Sequence, residues 1–160
     1  MKTISNVANT TLVSIIVVAI GYFALRRGLL VGPVIFLLGL VPMAGARLNR
    51  LELRRLIPDI VFGALDTGLL MIAVLAGAQT FGVLGAIVGS AIGDAVTDGI
   101  AGFFEGSIAE WLRERGIEEA RTELGSALGK MSGCLLGSGL VLTIVLLLGI
   151  QAHPTLEVPG

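Results

Sequence analysis

The sequence has very few of the residues that build disulfides, imidazole metal sites and nucleic-acid surfaces. It contains one cysteine, Cys134, and one histidine, His153, which exclude an internal disulfide and a histidine-rich metal site. Only 14% of the residues are charged and the formal net charge is −1, so nothing suggests a nucleic-acid partner. The sequence also offers no nucleophile and base pair, phosphate-binding loop or cofactor motif. We therefore expect a protein that is not an enzyme and binds no cofactor other than a cation.

The chain is instead rich in apolar residues. Of its 160 residues 54% are hydrophobic and 23 are glycine, and the mean hydropathy is +0.93. Soluble domains of this size do not have such a composition. A membrane-spanning helix needs about 20 mostly apolar residues. We predict an all-α polytopic membrane protein with about five spans, at roughly 6–25, 29–45, 58–79, 81–104 and 127–149.

The second apolar stretch is the weakest of the five. It is short and contains Pro33 and Pro42. The first two stretches could therefore form one kinked span, or an interfacial hairpin around Arg26, Arg27 and Gly28.

The N-terminal segment does not resemble a cleaved signal peptide. Polar residues precede its apolar core, and arginines follow where small residues would be needed for cleavage, so we expect it to be retained. The expected organisation is an N-terminal hydrophobic hairpin at 1–50, a membrane domain at 51–150 and a short tail at 151–160.

Basic residues are unevenly distributed between the two sides of the predicted membrane domain. With five spans, one side carries only Arg26 and Arg27. By the positive-inside rule the other side is cytoplasmic, which places the N-terminus inside a cell (inner) membrane and the C-terminus outside. This bias argues against dual topology, so we expect copies to associate in one orientation, as a parallel homodimer or larger homo-oligomer. The basic residues of the cytoplasmic side are Lys2, Arg47, Arg50, Arg54, Arg55, Arg113, Arg115, Arg121 and Lys130.

Glycine recurs every fourth residue in the last two apolar stretches. Helices in lipid gain little from hydrophobic burial against each other, so close contact depends on small residues that let backbones approach. The two glycine runs therefore predict that the fourth and fifth stretches pack closely, within one chain or between chains. The glycines are Gly85, Gly89 and Gly93 in the fourth stretch and Gly125, Gly129, Gly133 and Gly137 in the fifth.

Three aspartates, Asp66, Asp94 and Asp98, lie inside apolar stretches. An aspartate at the centre of a spanning helix costs about 2.5 to 3.5 kcal/mol, so each must face a partner, an ion or water. At about 100° per residue, Asp98 lies about 40° and Glu105 about 20° from Asp94, so the three form one stripe. Asp66 and Asp94 each fall within about two residues of the midpoint of a stretch, so they could share one ion.

These side chains offer oxygen ligands without thiolate or imidazole, which suit calcium, magnesium, manganese, sodium or protons. Calcium takes about six to eight oxygens, so carbonyls freed near Gly68 or Gly93 and water would complete the shell. Alternatively, the aspartates bond to neighbouring helices or stay protonated. The expected metal ligands are Asp66, Asp94 and Asp98, and the other candidate ion-site residues are Thr67, Ser90, Thr97 and Glu105.

A charged stretch at 105–123 separates the last two spans. Ile108, Trp111 and Leu112 are apolar at helical spacing, which predicts a helix lying on the cytoplasmic interface. Its charges are best explained as a solvated face with internal ion pairs. Lys130 follows this stretch and could neutralise Asp98, although a lysine near a span end usually extends to the interface.

Three blocks of the sequence belong together: FGALDTGLLMIA at Phe62–Ala73, AIGDAVTDGIAG at Ala91–Gly102 and SALGKMSG at Ser126–Gly133. Together they resemble the transmembrane protein 65 family of mitochondrial inner-membrane proteins and prokaryotic relatives. The resemblance covers about 55–149 and implies a three-helix membrane core, with the N-terminal hairpin as an accessory element.

Two positions depart from the family pattern, which has asparagine where Thr67 and Asp94 stand. Glu105 is similar to an acid that follows an Ala-Gly-aromatic element in the family. The mitochondrial member is implicated in sodium-dependent calcium efflux, so the resemblance implies a sodium- or proton-coupled divalent cation antiporter. The rival hypothesis is a membrane scaffold or regulatory subunit that binds other helices through its glycines, and a channel is a weaker third.

Overall fold

The computed structural model describes residues 2–27, 30–116 and 122–149. Within these ranges every regular element is a helix, in agreement with the predicted all-α fold. The predicted tail at 151–160 lies outside the described residues. The elements are α1 (Lys2–Arg26), α2 (Val31–Leu38), α3 (Leu40–Leu48), a short 3-10 helix (Leu53–Leu56), α4 (Ile57–Glu114) and α5 (Glu123–Leu147).

Four helical segments in the described ranges are long and apolar enough to cross a bilayer. Such lengths and compositions are those of a helical membrane protein. Gly39 separates α2 from α3 with φ −60° and ψ −20°, which is helical backbone, so these two helices make one segment. The four segments are Thr3–Arg26, Val31–Leu48, Leu53–Glu114 and Glu123–Leu147.

The longest segment is folded back on itself. Straight, its 62 residues would measure about 93 Å, roughly three times the hydrocarbon thickness of a bilayer. Helical torsions fail at Phe81 (φ −132°, ψ 19°) and Gly82 (φ 60°, ψ −142°), in the middle of α4. We call residues 57–80 the first arm and residues 83–114 the second arm.

The two arms form an antiparallel hairpin with very close backbones. A Cβ atom on Gly77 would meet the carbonyl oxygen of Gly85, and one on Gly89 would lie 2.6 Å from the carbonyl oxygen of Ala73. Residue numbers rise along one arm where they fall along the other, so these two contacts fix which residues of the arms face each other. The second arm therefore packs through its glycine run.

Helix α5 packs on a different face of the first arm, and runs parallel to it. A Cβ atom on Gly133 would meet the carbonyl oxygen of Ile60, and one on Gly137 would meet that of Ala64. Both glycine runs thus contact the first arm. This arrangement corrects the expectation that the fourth and fifth stretches pack on each other through these glycines, because the first arm supplies the contact surface for both.

Helices α2 and α3 pack on another face of α5. A Cβ atom on Gly139 would meet the backbone nitrogen of Phe36, and Ser132 Oγ donates a 2.6 Å hydrogen bond to the carbonyl of Gly39. Helix α1 contacts α2, α3 and α5, but most of its side chains are exposed. The first two predicted stretches therefore form two separate segments, and the second of them is part of the packed core.

The first part of the charged stretch, residues 105–114, continues α4 rather than beginning a separate helix. Helix α4 continues without interruption to Glu114, and its last turns bury Ala109 and Leu112 while Trp111 stays exposed. The physical reason is that the buried face of the second arm extends past Glu105, so the helix has packing partners beyond the apolar stretch. Residues 117–121 of the predicted interfacial helix lie outside the described ranges.

Candidate cation site in the helical hairpin

The hairpin brings one predicted carboxylate against one predicted hydroxyl. Thr97 Oγ1 of the second arm donates a 2.7 Å hydrogen bond to Asp66 Oδ1 of the first arm. The same hydroxyl lies 3.3 Å from the carbonyl oxygen of Asp94. Thr97 is only 4% exposed, whereas Asp66 is half-buried. Two oxygen atoms, Asp66 Oδ1 and the carbonyl oxygen of Asp94, therefore lie within hydrogen-bond distance of the Thr97 hydroxyl.

The register of the hairpin explains this pairing. Gly93 packs against Ala73 and Leu70, with a would-be Cβ atom 2.9 Å from Ala73 Cβ. One turn further along the second arm, Thr97 comes to face Asp66. The midpoints of the apolar stretches predict Asp94 opposite Asp66, but in the structure Thr97 lies opposite Asp66. The difference of about one helical turn arises because glycine contacts, rather than span midpoints, set the register.

Asp94 and Asp98 occupy the outer face of the second arm. Both are exposed, so within one chain the three aspartates do not converge. Among the described residues, no group of three or more histidine, cysteine, aspartate and glutamate side chains could hold a metal ion. What one chain assembles is one carboxylate, one hydroxyl and one backbone carbonyl.

The remaining predicted ligands are spread over the same helices. Thr67 is half-buried beside Cys134 of α5, and Ser90 is half-buried on the second arm. The non-helical torsions of α4 occur at Phe81 and Gly82, so the carbonyls near Gly68 and Gly93 belong to regular helix. The expectation that the helix frees these carbonyls is therefore wrong, and the Asp94 carbonyl offers an ion only the lone pair that its helical hydrogen bond leaves.

Glu105 belongs to the buried side of the second arm, whereas Asp94 and Asp98 are exposed. The residue is 8% exposed and its Oε2 lies 3.8 Å from Nζ of Lys130. The expected single stripe of acids is thus divided between two faces, because the buried face follows Gly93, Thr97, Ala101 and Glu105 at four-residue spacing and so turns about 40° around the helix with each step. Lys130 contacts Glu105 rather than Asp98, the partner that the sequence suggested.

A groove between the two arms reaches Thr97. It has a volume of about 480 Å³ and an apolar lining that includes Gly89, Gly93 and Val96, and Thr97 supplies its polar side chain. Thr97 is therefore covered by the hairpin on one side and borders this groove on the other.

Asp59 is a buried carboxylate that sequence reasoning missed. It is 2% exposed and accepts a 2.7 Å hydrogen bond from Ser126 Oγ of α5. Pro58 precedes it in the first turn of α4, where an acid is usually a surface residue that favours the helix dipole. The sequence did contain a possible partner for Asp59, because Ser126 lies one turn before Lys130 on the glycine-rich face of α5.

The oxygen atoms around Thr97 can hold a hard cation only with additional ligands. A carboxylate, a hydroxyl and a carbonyl suit sodium, magnesium or calcium, and each of these ions needs more than three ligands. Water or a second chain would have to supply the others. Comparison of the sequence with protein-family models gives no match, and comparisons with curated proteins and with solved structures give none either.

Proposed function

We propose that this protein is a cation transporter that exchanges calcium or another divalent cation for sodium or protons at Asp66, Thr97 and Asp94. The observation that carries the proposal is the 2.7 Å hydrogen bond between Thr97 Oγ1 and Asp66 Oδ1 inside the hairpin. A carboxylate at membrane depth is costly, and such residues mark ion and proton pathways in transporters. One hydroxyl donor compensates Asp66 only in part, which leaves oxygen lone pairs for a cation.

Topology supports a site at membrane depth. We propose five spans, with the two arms of α4 as the third and fourth, since each arm exceeds the roughly 20 residues that a span needs. The positive-inside rule then places the N-terminus and the Glu105 end of the hairpin on the cytoplasmic side of a cell membrane. Asp66 and Thr97 lie about two turns further into the bilayer than Glu105.

The proposed ion and coupling come only from the resemblance to the transmembrane protein 65 family. Its three sequence blocks lie on the first arm, the second arm and α5, which are the three helices joined by the glycine contacts. The proposed function therefore concerns the same part of the chain that carries the resemblance.

We further propose that a second, parallel copy covers the outer face of the second arm. Asp94 and Asp98 are exposed on this face, and lipid cannot compensate their charges. Gly99, Gly102 and Gly106 have open space around them within one chain, as expected of small residues that let another helix approach. Carboxylates of two copies around one axis would supply the ligands that a divalent ion lacks in a single chain.

The test is ion flux in proteoliposomes containing the purified protein. We expect calcium movement that depends on a sodium or proton gradient, and its loss in Asp66→Asn and in Asp94→Asn. These changes remove charge but keep side-chain volume, and removing a charge from the bilayer does not impair insertion. Glu110→Gln is the matched control, because Glu110 is exposed on the same arm outside the apolar stretch.

Two outcomes would contradict the proposal. Normal flux in both aspartate variants would remove the site from the transport path. A well-folded wild-type protein that moves none of the candidate cations would favour the rival hypothesis of a scaffold. Such a scaffold would need another surface, since the glycine runs at 85–93 and 125–137 pack inside the chain.

A further inference from the structure

The connection from α3 to α4 carries several exposed arginines, and we call residues 47–55 the arginine loop. Arg47, Arg50 and Arg54 are exposed, and in the part of the chain that the structure describes no carboxylate lies within ion-pair distance of them. Arg55 differs, because its Nε lies 2.9 Å from Oε2 of Glu52. The loop therefore presents three guanidinium groups whose charges no described side chain neutralises.

Backbone hydrogen bonds hold the arginine loop in one conformation. The amide of Leu51 donates to the carbonyl of Ala46 at 3.0 Å. The amide of Arg50 donates to the carbonyl of Arg47 at 2.9 Å. This pair of bonds is a Schellman motif, which ends a helix through one residue in the left-handed conformation. The arginines at the end of α3 are therefore held in fixed positions relative to each other.

Arg50 occupies the position of this motif that glycine usually fills. Its φ is +57°, and in the described ranges every other residue with positive φ is a glycine. A Cβ atom makes this backbone conformation unfavourable, whereas glycine adopts it freely. Stability alone would therefore favour glycine at position 50. Unfavourable backbone of this kind is common at binding sites, which indicates that the guanidinium serves a purpose other than folding.

The arginine loop lies at the end of an apolar segment. Val31–Leu48 is long and apolar enough to cross a bilayer, so Leu48 marks the level at which the chain leaves the hydrocarbon. Leu48 is 85% exposed, and an exposed leucine among arginines suits the boundary between acyl chains and headgroups. The guanidinium groups then lie at the level of the lipid phosphates, whichever way the chain is inserted.

We infer that the arginine loop binds the headgroups of anionic phospholipids. Guanidinium groups bind phosphate oxygens through paired hydrogen bonds, and clusters of basic residues next to a spanning helix attract anionic lipids. The occupant is a lipid rather than a soluble anion, because Leu48 adds contact with the acyl chains. The inference does not depend on cation transport, since none of these residues belongs to the candidate cation site.

The test is native mass spectrometry of the full chain in detergent, titrated with phosphatidylglycerol and with phosphatidylcholine. We expect the wild-type protein to bind phosphatidylglycerol more tightly. Arg50→Gly should lower the affinity for phosphatidylglycerol about fivefold, which is the contribution of one arginine near an anionic surface, and leave that for phosphatidylcholine unchanged. The same change should raise the unfolding temperature in lipid-free detergent, because glycine adopts φ +57° more readily.

Arg26→Gln is the matched control. Arg26 is also exposed at the end of an apolar helix, but it lies outside the arginine loop, so its removal should leave the affinity for phosphatidylglycerol close to wild type. An equal loss in Arg26→Gln would overturn the inference, because overall charge would then attract the lipid. Wild-type affinity in Arg50→Gly would also overturn it. Equally tight binding of soluble glycerol phosphate would assign the loop to a free anion instead of a lipid.

Discussion

Thr97 and Asp66 are 31 residues apart in the sequence and are joined by a 2.7 Å hydrogen bond between the two arms of α4. The bond links the two arms of the hairpin, and in the proposed five-span arrangement it lies at a depth where a free carboxylate would be costly. It also orients the carboxylate, because the hydroxyl occupies one lone pair of Oδ1 and leaves the other oxygen open. The pair is therefore the part of the candidate site that a single chain completes by itself.

Thr97→Val should impair cation binding far more than it impairs folding. The change removes the hydroxyl and keeps the shape, and a side-chain hydrogen bond between membrane helices contributes about 0.6 kcal/mol on average. Loss of a group that orients a ligand typically weakens metal affinity roughly 10- to 100-fold. Calorimetric titration with calcium would measure the affinity. Thr97→Ser should remain close to wild type, and an equal loss in both variants would contradict the orienting role.

Gly133→Leu should disrupt the contact between α5 and the first arm. The new side chain would meet the backbone of Ile60 and Ala64, which cannot move aside, and overpacking costs about 1 to 3 kcal/mol or more. Thermal unfolding and gel filtration in detergent would report the loss. Gly21→Leu is the matched control, because Gly21 is also helical but has open space around it. Equal stability of the two variants would argue against close packing at Gly133.

Gly82→Ala should destabilise the turn of the hairpin through the backbone alone. Nothing lies within 4 Å of a Cβ atom at this position, but φ is +60° with ψ −142°, a conformation that only glycine adopts readily. Residues held in such regions cost about 1 to 3 kcal/mol. Gly21→Ala, in a helix, should be neutral or slightly stabilising. Similar unfolding temperatures for both variants would contradict the positive φ at Gly82.

Ser126→Ala should weaken the attachment of α5 to the start of α4. The change removes the hydroxyl that donates to Asp59, and leaving a buried polar group without its partner costs about 1 to 3 kcal/mol. Ser107→Ala is the control, since Ser107 is exposed and its hydroxyl bonds only to its own helix. Thermal unfolding would compare them. If Ser107→Ala lowered the unfolding temperature as much as Ser126→Ala, the buried hydrogen bond would not stabilise the protein more than an exposed one.

Gly102→Leu should separate the proposed homodimer without unfolding the chain. Both Gly102 and Gly21 have open space in one chain, so leucine at either position is tolerated within the monomer. Only Gly102 lies on the face that bears Asp94 and Asp98. Light scattering in detergent should show smaller particles for Gly102→Leu than for Gly21→Leu. Unchanged oligomers in Gly102→Leu would place the interface, if any, on another face.

Sequence reasoning reached Asp66 and Thr97 as candidate residues but paired Asp66 with Asp94. The length of an apolar stretch predicts the position of a spanning helix to within a few residues. A shift of one helical turn, however, changes which side chains face each other. The helical angles of Asp94 and Glu105 differ by only about 20°, so they did not predict that Asp94 is exposed and Glu105 is buried. Asp59 was missed because its local sequence is that of an ordinary helix start, whereas its hydrogen bond and close contact are with Ser126 and Gly129 of α5.

The sequence by itself determined that this is an all-helical membrane protein, because long apolar segments have no stable alternative in water or in lipid. It also determined which residues are too polar for lipid and which glycines allow close approach. Only the tertiary structure decided that both glycine runs use the first arm, that Thr97 faces Asp66 and that Lys130 lies beside Glu105. These pairings depend on the break at Phe81 and Gly82 and on backbone contacts between distant residues, and the spacing of the glycines does not say which helix lies on the other side of each contact.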